Sequence, residues 1–146
     1  MMAATQASSA ASADITGAAG APGDIGSLPS CRLRRVTEYV QQNLDKDLTL
    51  AELASIVYMS PFHFARLFKC STGMPPHRFV VRQRITRART CLAMEGQSIA
   101  QISRMVGYRT PSHFTTVFRR SLGVTPGAYR AAALQANRSN EEGGGR

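Results

Sequence analysis

Apolar residues recur along most of this chain at steps of three and four positions, which is the spacing of one face of an α-helix. Alternation of apolar and polar residues with a period of two, typical of strands, is absent. The pattern therefore predicts an all-α fold. The segments with helical spacing are residues 32–44, 50–57, 61–72, 76–94, 99–106, 111–122 and a last short helix that begins at residue 126.

Hydroxyl residues stand where several of these helices begin. Thr49 with Glu52, and Ser98 with Gln101, have the spacing of a capping box, in which each side chain bonds the backbone N–H of the other residue. Three further starts share a hydroxyl residue followed by Pro, a residue that suits the first helical turn. These starts are Ser60-Pro61, Thr110-Pro111 and Thr125-Pro126.

One part of the chain occurs twice. Residues 60–64 (SPFHF) align with residues 110–114 (TPSHF) at an offset of 50, and Gly73 aligns with Gly123 at the same offset. The residues that precede these motifs align at an offset of 49, so the turn of the second copy is one residue longer. A short helix, a tight turn and a second helix in each copy indicate two helix-turn-helix units.

The two units are predicted over about residues 49–73 and 98–123, joined by a linker helix over about residues 76–94. At 1.5 Å per residue this linker is about 28 Å long. With the helix diameters at its ends, that length is close to one turn of duplex DNA, ~34 Å. We therefore expect the two units to enter successive major grooves on one face of the DNA.

The second helix of each copy has two chemically different faces when its residues are placed 100° apart. One face is apolar and consists of Phe64, Leu67 and Phe68 in the first copy and Phe114, Val117 and Phe118 in the second. The opposite face consists of Phe62, Ala65, Arg66 and Lys69 in the first copy and Ser112, Thr115, Thr116 and Arg119 in the second. A helix held on one side that offers such groups on the other suits a DNA major groove. An ordinary hairpin with a solvated face is the alternative, and the duplication argues against it.

The charge of the chain strengthens this interpretation. The sequence has 18 Lys and Arg against 9 Asp and Glu, a net charge of +9. Residues 66–130 hold twelve of the basic residues and one acid, Glu95. Such an excess favours a polyanionic partner, with nucleic acid as the first candidate. A solvated basic surface and an anionic membrane are the alternatives.

The same scarcity of acids argues against an enzyme. Glu95 is the single carboxylate between residues 53 and 140, so pairs of general acids and bases cannot be assembled there. A phosphate-binding glycine loop and a nucleophile elbow are also missing from the sequence. We expect no catalytic residues and no cofactor.

The cysteines indicate a reducing compartment. Cys31, Cys70 and Cys91 are odd in number and form neither a CxxC pair nor a metal-binding spacing. We expect Cys70 and Cys91 to be buried or half-buried free thiols and no metal to be bound, His63 and His113 included. Since no apolar run is long enough to span a membrane and no signal peptide is recognisable, we expect a cytoplasmic protein with no membrane partner.

Both ends of the sequence lack large apolar residues. Residues 1–30 are mostly Ala, Ser, Gly, Thr, Pro and Asp, and residues 136–146 are similarly polar and Gly-rich. Segments of this composition cannot bury enough surface to offset the entropy of ordering. We expect disordered tails there and a folded domain over residues 31–135.

Residues 99–114 (IAQISRMVGYRTPSHF), followed by Phe118-Arg119-Arg120 and by residues 123–130 (GVTPGAYR), resemble the DNA-binding domain of the AraC/XylS family of bacterial transcription regulators. The resemblance covers roughly residues 32–132. It implies seven helices, two helix-turn-helix units and a sequence-specific regulator, which we expect to be an activator. A non-specific nucleoid protein or an RNA-binding basic protein is the alternative function.

The resemblance also implies which residues contact bases. By position these are Phe62, Ala65 and Arg66 in the first unit and Ser112, His113 and Thr116 in the second. Arg66 can hold a guanine bidentately, a contact that contributes ~1–3 kcal/mol of discrimination. Thr116 stands where many relatives carry Arg, and Ala65 offers only a methyl group. We therefore expect the first unit to contribute more specificity than the second.

Phosphate contacts are expected from basic side chains and helix starts along the same strip. The candidates are Ser60, Lys69, Arg78, Arg82, Arg84, Arg89, Thr110, Arg119 and Arg120. Double-stranded DNA is the expected partner, and the resemblance adds RNA polymerase. Relatives often carry a separate effector-sensing domain, and this sequence has only the polar leader in that place, so it is either a stand-alone regulator or a fragment of a longer one. We expect a nucleoid-associated monomer or weak dimer.

Overall fold

The computed structural model describes residues 26–144, and these contain seven α-helices and no strand. The helices are α1 (Ser30–Gln42), α2 (Leu50–Ile56), α3 (Pro61–Thr72), α4 (Pro76–Leu92), α5 (Ile99–Met105), α6 (Pro111–Leu122) and α7 (Pro126–Gly143). The all-α prediction is confirmed, with helix-turn-helix pairs formed by α2–α3 and α5–α6. Disorder was expected for residues 1–30, of which residues 1–25 lie outside the described residues. For residues 26–30 the expectation is wrong, because Leu28 is buried, its N–H donates to the Ser71 hydroxyl at 2.7 Å, and α1 begins at Ser30.

The described residues divide into two compact units. The first consists of residues 26–37 and 50–76, and the second of residues 38–49 and 77–144. Each unit therefore contains one helix-turn-helix pair. No helix among residues 26–144 has the length and apolar character needed to cross a membrane.

Helix α3 organises the first unit. Ser60 caps its start by accepting a hydrogen bond from the His63 N–H, and Pro61 occupies the first turn. Its end is marked by Gly73, whose φ of 84° lies in the left-handed region that glycine adopts without strain. The apolar face is buried as predicted, together with residues of α2: Phe64, Leu67, Phe68, Leu53 and Ala54.

The second unit has a continuous apolar core built from α4, α5 and α6. It consists of Ile85, Ala88, Leu92, Ile102, Val106, Tyr108, Phe114 and Phe118. Ser98 and Gln101 form the predicted capping box at α5, and the hydroxyls of Thr110 and Thr125 cap α6 and α7. These caps define the residues at which α5, α6 and α7 begin.

The structure corrects the expectation for the C-terminal region. The last helix is not short, since α7 runs for 18 residues to Gly143 and includes most of the segment expected to be disordered. An Ala-rich run over residues 131–136 favours helix, because Ala has the highest helix propensity. The Asn137 side chain adds a tertiary contact by donating to the Ala93 carbonyl at 3.2 Å.

The cysteines are free thiols, but one of them is more exposed than expected. Cys91 is half-buried, whereas Cys70 and Cys31 are exposed. Cys70 lies two positions after the buried Phe68 and is therefore about 200° away from it around α3. The helical spacing alone puts Cys70 on the solvent side.

Candidate DNA interface

The turns of the two helix-turn-helix pairs share one backbone conformation. In the first, Tyr58 has a φ of 59° and its N–H donates to the Ser55 carbonyl at 3.1 Å. In the second, Gly107 has a φ of 93° and its N–H donates to the Arg104 carbonyl at 3.1 Å. The two turns therefore match at an offset of 49, and the additional residue of the second turn is Arg109.

The outward face of α3 carries the predicted base readers of the first unit. Phe62 is 81% exposed, Arg66 is exposed and Ala65 is half-buried. The Arg66 guanidinium lies 3.5 Å from Nδ1 of His63, one turn earlier on the same helix. The structure therefore brings an aromatic ring, a methyl group and a guanidinium together on the solvent side of one helix.

The outward face of α6 carries the three predicted base readers of the second unit, Ser112, His113 and Thr116, all of them exposed. The Thr116 hydroxyl donates to the Ser112 carbonyl at 3.1 Å. Because this bond occupies the only proton of the hydroxyl, Thr116 offers a base its methyl group and an acceptor oxygen. That Thr116 is a weaker reader than an arginine stays a prediction.

Tyr108 is a further residue of this site, in the turn before α6, for which no role was expected. It is 4% exposed and packs against Phe114, with ring centroids 5.7 Å apart. The Tyr108 and His113 rings form a T-shaped pair, with centroids 5.2 Å apart and an angle of 89° between the ring planes. The Tyr108 hydroxyl is buried and has no hydrogen-bond partner among the described residues. Burial raises the pKa of Tyr108, an effect that the nearby Arg84 guanidinium opposes.

Arg84, which was expected to contact phosphate, contacts other segments of the chain in this structure. Its Nε donates to the Leu44 carbonyl at 3.1 Å and its Nη2 donates to the Lys46 carbonyl at 2.7 Å. The guanidinium lies over the Tyr108 ring, 5.4 Å from its centroid. Arg84 therefore ties together three segments of the second unit.

The other basic candidates remain on the surface. Lys69, Arg78, Arg82, Arg119 and Arg120 are exposed and form no ion pair within residues 26–144. Arg89 is exposed as well, although its Nε donates to the Tyr129 hydroxyl at 3.3 Å. Ser60 and Thr110 lie at helix starts, where their hydroxyl oxygens accept backbone N–H groups. Helix starts of this kind leave other N–H groups available to an anion.

Arg109 is a further basic residue of this surface that the sequence analysis did not assign. It is 88% exposed, directly precedes the cap of α6 and pairs with the 77% exposed Asp47 at 3.3 Å. The sequence indicates this residue through the change of offset between the two copies, from 49 before the turn to 50 after it, because Arg109 is the inserted residue. No group of three or more potential metal ligands occurs within residues 26–144.

Comparison with known proteins gives matches over the same region. The family model described as a helix-turn-helix domain matches residues 53–132. Regulatory protein PocR of Salmonella typhimurium is 40% identical over 99 residues, which are 68% of this chain and 33% of that protein. This chain thus spans about a third of the length of that curated relative.

Two solved structures share the fold. The DNA-binding domain of AdpA, crystallised with a target DNA, superimposes with a TM-score of 0.68 at 32% identity, covering 74% of this chain and 96% of that one. A regulator with an AraC-type DNA-binding domain from Chromobacterium violaceum gives a TM-score of 0.67 at 28% identity, with 73% and 95% covered. With the matched residues spanning both helix-turn-helix pairs, this chain belongs to the AraC/XylS family of helix-turn-helix proteins.

Proposed function

We propose that this chain is a sequence-specific DNA-binding transcription regulator in which α3 and α6 each enter a major groove of one duplex. The observation that carries the proposal is the pair of equivalently capped helices, each with an exposed outward face, in a strongly basic part of the chain. The relative PocR is named a regulatory protein, and the AdpA domain was solved with DNA, which supports the same function here.

In this proposal α3 supplies most of the direct readout. Arg66 donates two hydrogen bonds to O6 and N7 of a guanine, which distinguishes that base from the others by ~1–3 kcal/mol. Phe62 and Ala65 contact the methyl group of a thymine through apolar surface.

Helix α6 makes a weaker contribution. Its first turn offers Ser112 and His113, and Thr116 follows one turn later. The Ser112 hydroxyl and the His113 imidazole can donate or accept, so they tolerate more than one base. The two halves of the DNA site are therefore unequal, and the protein reads an asymmetric sequence.

Phosphate contacts fix the position of these helices on the duplex without reading sequence. We assign this role to Lys69, Arg119 and Arg120 at the ends of the recognition helices, to Arg78, Arg82 and Arg89 on α4, and to the helix starts at Ser60 and Thr110. Each lost phosphate contact should reduce the slope of log K against log salt by about one.

The test is a selection from random duplexes with the full chain, followed by Arg66→Ala and Thr116→Ala. We expect Arg66→Ala to relax the preference at one base pair and Thr116→Ala to change the preferences less. Arg82→Ala is the matched control, because losing a phosphate contact should weaken all sequences equally. Equal, sequence-independent losses from Arg66→Ala and Thr116→Ala would contradict the assignment.

The second candidate function is non-specific binding to DNA or RNA, which the net charge of +9 favours on its own. The same selection separates the two. A ratio of specific to non-specific affinity near one at physiological salt would support this candidate and overturn the regulator.

We further propose that the protein is not an enzyme and that it works in the cytoplasm on the nucleoid. It activates transcription through RNA polymerase and binds DNA as a monomer or weak dimer. Two recognition helices in one chain allow one molecule to read a two-part site, which supports a monomer. Sedimentation of the complex on one selected duplex gives the stoichiometry, and transcription in vitro from a promoter carrying that site tests activation.

A further inference from the structure

Three side chains of the second unit are stacked from the linker helix to the recognition helix. Arg84 on α4 lies over the ring of Tyr108, and that ring forms a T-shaped pair with the His113 ring on α6, with centroids 5.2 Å apart. We call Arg84, Tyr108 and His113 the Arg84 column. It links a side chain that was expected to contact phosphate with one that was expected to read a base.

The first member of the column is rigidly held. Two backbone carbonyls, of Leu44 and Lys46, accept hydrogen bonds from different nitrogens of the Arg84 guanidinium. A planar group bonded at two nitrogens has a fixed orientation, which a lysine ammonium would not have. The cation is thereby held against the face of Tyr108, where the negative potential of the ring attracts it.

The second member is held from several sides. Tyr108 packs against Phe114 in addition to the two members of the column. The preceding Gly107 allows this close approach, because a side chain there would meet both the Leu44 carbonyl and the Arg84 guanidinium. Tyr108 therefore presents a fixed ring to the start of α6.

The first helix-turn-helix pair has no such ring at this place. The Met59 N–H donates to the Ala54 carbonyl, as the Tyr108 N–H donates to the Ser103 carbonyl, so Met59 is the equivalent of Tyr108. His63, the equivalent of His113, instead contacts Arg66 on its own helix. The column is thus a specific feature of the second copy.

We propose that the Arg84 column orients the His113 imidazole on the outward face of α6 and thereby determines the base preference of the second half of the DNA site. Arg84 and Tyr108 are positioning residues that act through His113. A reader held in its bound orientation loses less conformational entropy on binding, which sharpens its discrimination. This inference rests on the proposed function, since it takes α6 to be a reading helix.

The first experiment needs no DNA. Arg84→Met keeps an unbranched apolar stem but removes the guanidinium and its hydrogen bonds. Tyr108→Leu removes the ring, and Tyr108→Phe keeps it. We expect the imidazole proton resonances of His113 to move in the first two variants and to stay in Tyr108→Phe, with His63 as the internal control. Unmoved His113 resonances in a folded Arg84→Met protein would overturn the column.

The second experiment compares base preferences in selections from random duplexes. His113→Ala changes only an exposed side chain and identifies the base pairs that depend on this residue. We expect Arg84→Met to lose the same preferences, to keep those identified by Arg66→Ala and to leave the salt slope unchanged. The double variant Arg84→Met/His113→Ala should lose no further discrimination, because the two residues act as a unit.

Each contrary outcome identifies a different error. A salt slope lowered by about one in Arg84→Met would make Arg84 a phosphate contact and overturn the positioning role. Unchanged preferences in His113→Ala would overturn the column as a specificity determinant even if the Arg84 variants fail to fold. A wild-type protein that selects no sequence would instead overturn the proposed function, while the His113 resonances still report whether the column exists.

Discussion

The turns of the two helix-turn-helix pairs have the same hydrogen bonds, but the first is exposed to solvent and the second is packed against other segments. In the first pair the left-handed position is occupied by Tyr58, which is 86% exposed. In the second it is occupied by Gly107, beside the Leu44 carbonyl and the Arg84 guanidinium. A left-handed conformation costs a non-glycine residue roughly 1–2 kcal/mol whatever surrounds it. Only the second turn adds a steric demand to that cost.

The same turn therefore serves two different purposes in one chain. An exposed turn tolerates a bulky residue, because only the backbone conformation opposes it. When a turn is packed against other segments, those contacts fix the position of the helix that follows it. The first turn thus leaves α3 to depend on its own caps and apolar face, whereas the second connects α6 to Arg84.

The largest effect is expected from Gly107→Ala. The new methyl group would combine a strained φ of 93° with contacts to the Leu44 carbonyl and Arg84, and the backbone carbonyl cannot easily move away. We expect a loss of about 2–4 kcal/mol in the free energy of unfolding, measured by urea denaturation.

Gly123→Ala is the matched control for Gly107→Ala. Gly123 has a φ of 83°, but an added methyl group would meet nothing within 4 Å. We expect a smaller loss, about 1–2 kcal/mol, from the backbone conformation alone. Equal losses in the two variants would show that the close packing at Gly107 contributes nothing.

The next effect has the opposite sign and concerns the first turn. Replacing Tyr58 with Gly removes the strain of its left-handed backbone, so we expect the protein to gain about 1 kcal/mol of stability. Tyr58→Ala keeps the strain and should give no such gain. A thermal unfolding series of both variants checks this, and an equal gain in Tyr58→Ala would show that the ring, not the backbone, is unfavourable.

Helix boundaries were predictable because their causes are local. Ser60, Thr110 and Thr125 cap helices through bonds that span three residues, and Pro follows each of them. The apolar face of α3 and α6 follows from spacing within a single helix. Such features depend on neighbouring residues, which a sequence displays directly.

The features that the sequence did not reveal depend on distant residues. Arg84 bonds a carbonyl 40 residues away, and nothing near it in the sequence distinguishes it from the exposed Arg82. The continuation of α7 is accompanied by Arg130 and Asn137 donating to carbonyls at the end of α4, 38 and 44 residues away. For Cys70 the helical spacing from Phe68 indicated an exposed position, whereas the general tendency of Cys to be buried indicated the opposite.

A smaller effect is expected from Tyr108→Phe, which keeps the ring and removes a buried hydroxyl without a partner. Removing such a group is neutral or stabilising by up to about 1 kcal/mol near neutral pH. Burial raises the pKa of Tyr108, so folding favours the protonated hydroxyl. The resulting contribution to the free energy of unfolding is fully present below the unfolded pKa of 10.0 and is lost as pH rises through the folded pKa. We expect the wild type to lose more stability at high pH than Tyr108→Phe, and denaturation curves at pH 8 and above test this. Parallel curves for the two proteins would contradict the burial of this hydroxyl.

The smallest change in stability is expected from Asp47→Asn, which removes the ion pair with the inserted residue of the second turn, Arg109. Both side chains are largely exposed, so the pair contributes little to folding and the unfolding midpoint should not move measurably. Binding should respond instead, because the carboxylate repels phosphate and occupies Arg109 just before the cap of α6.

We therefore expect Asp47→Asn to bind duplexes of all sequences more tightly, with a steeper salt dependence, since an additional cation becomes available to the phosphates. Asp45→Asn, a neighbouring exposed acid in the same loop, is the control for the change in net charge. If the two variants gain the same affinity at every salt concentration, Arg109 has no role of its own. A gain confined to Asp47→Asn and abolished by adding Arg109→Ala would make the inserted residue a phosphate contact that the first turn lacks.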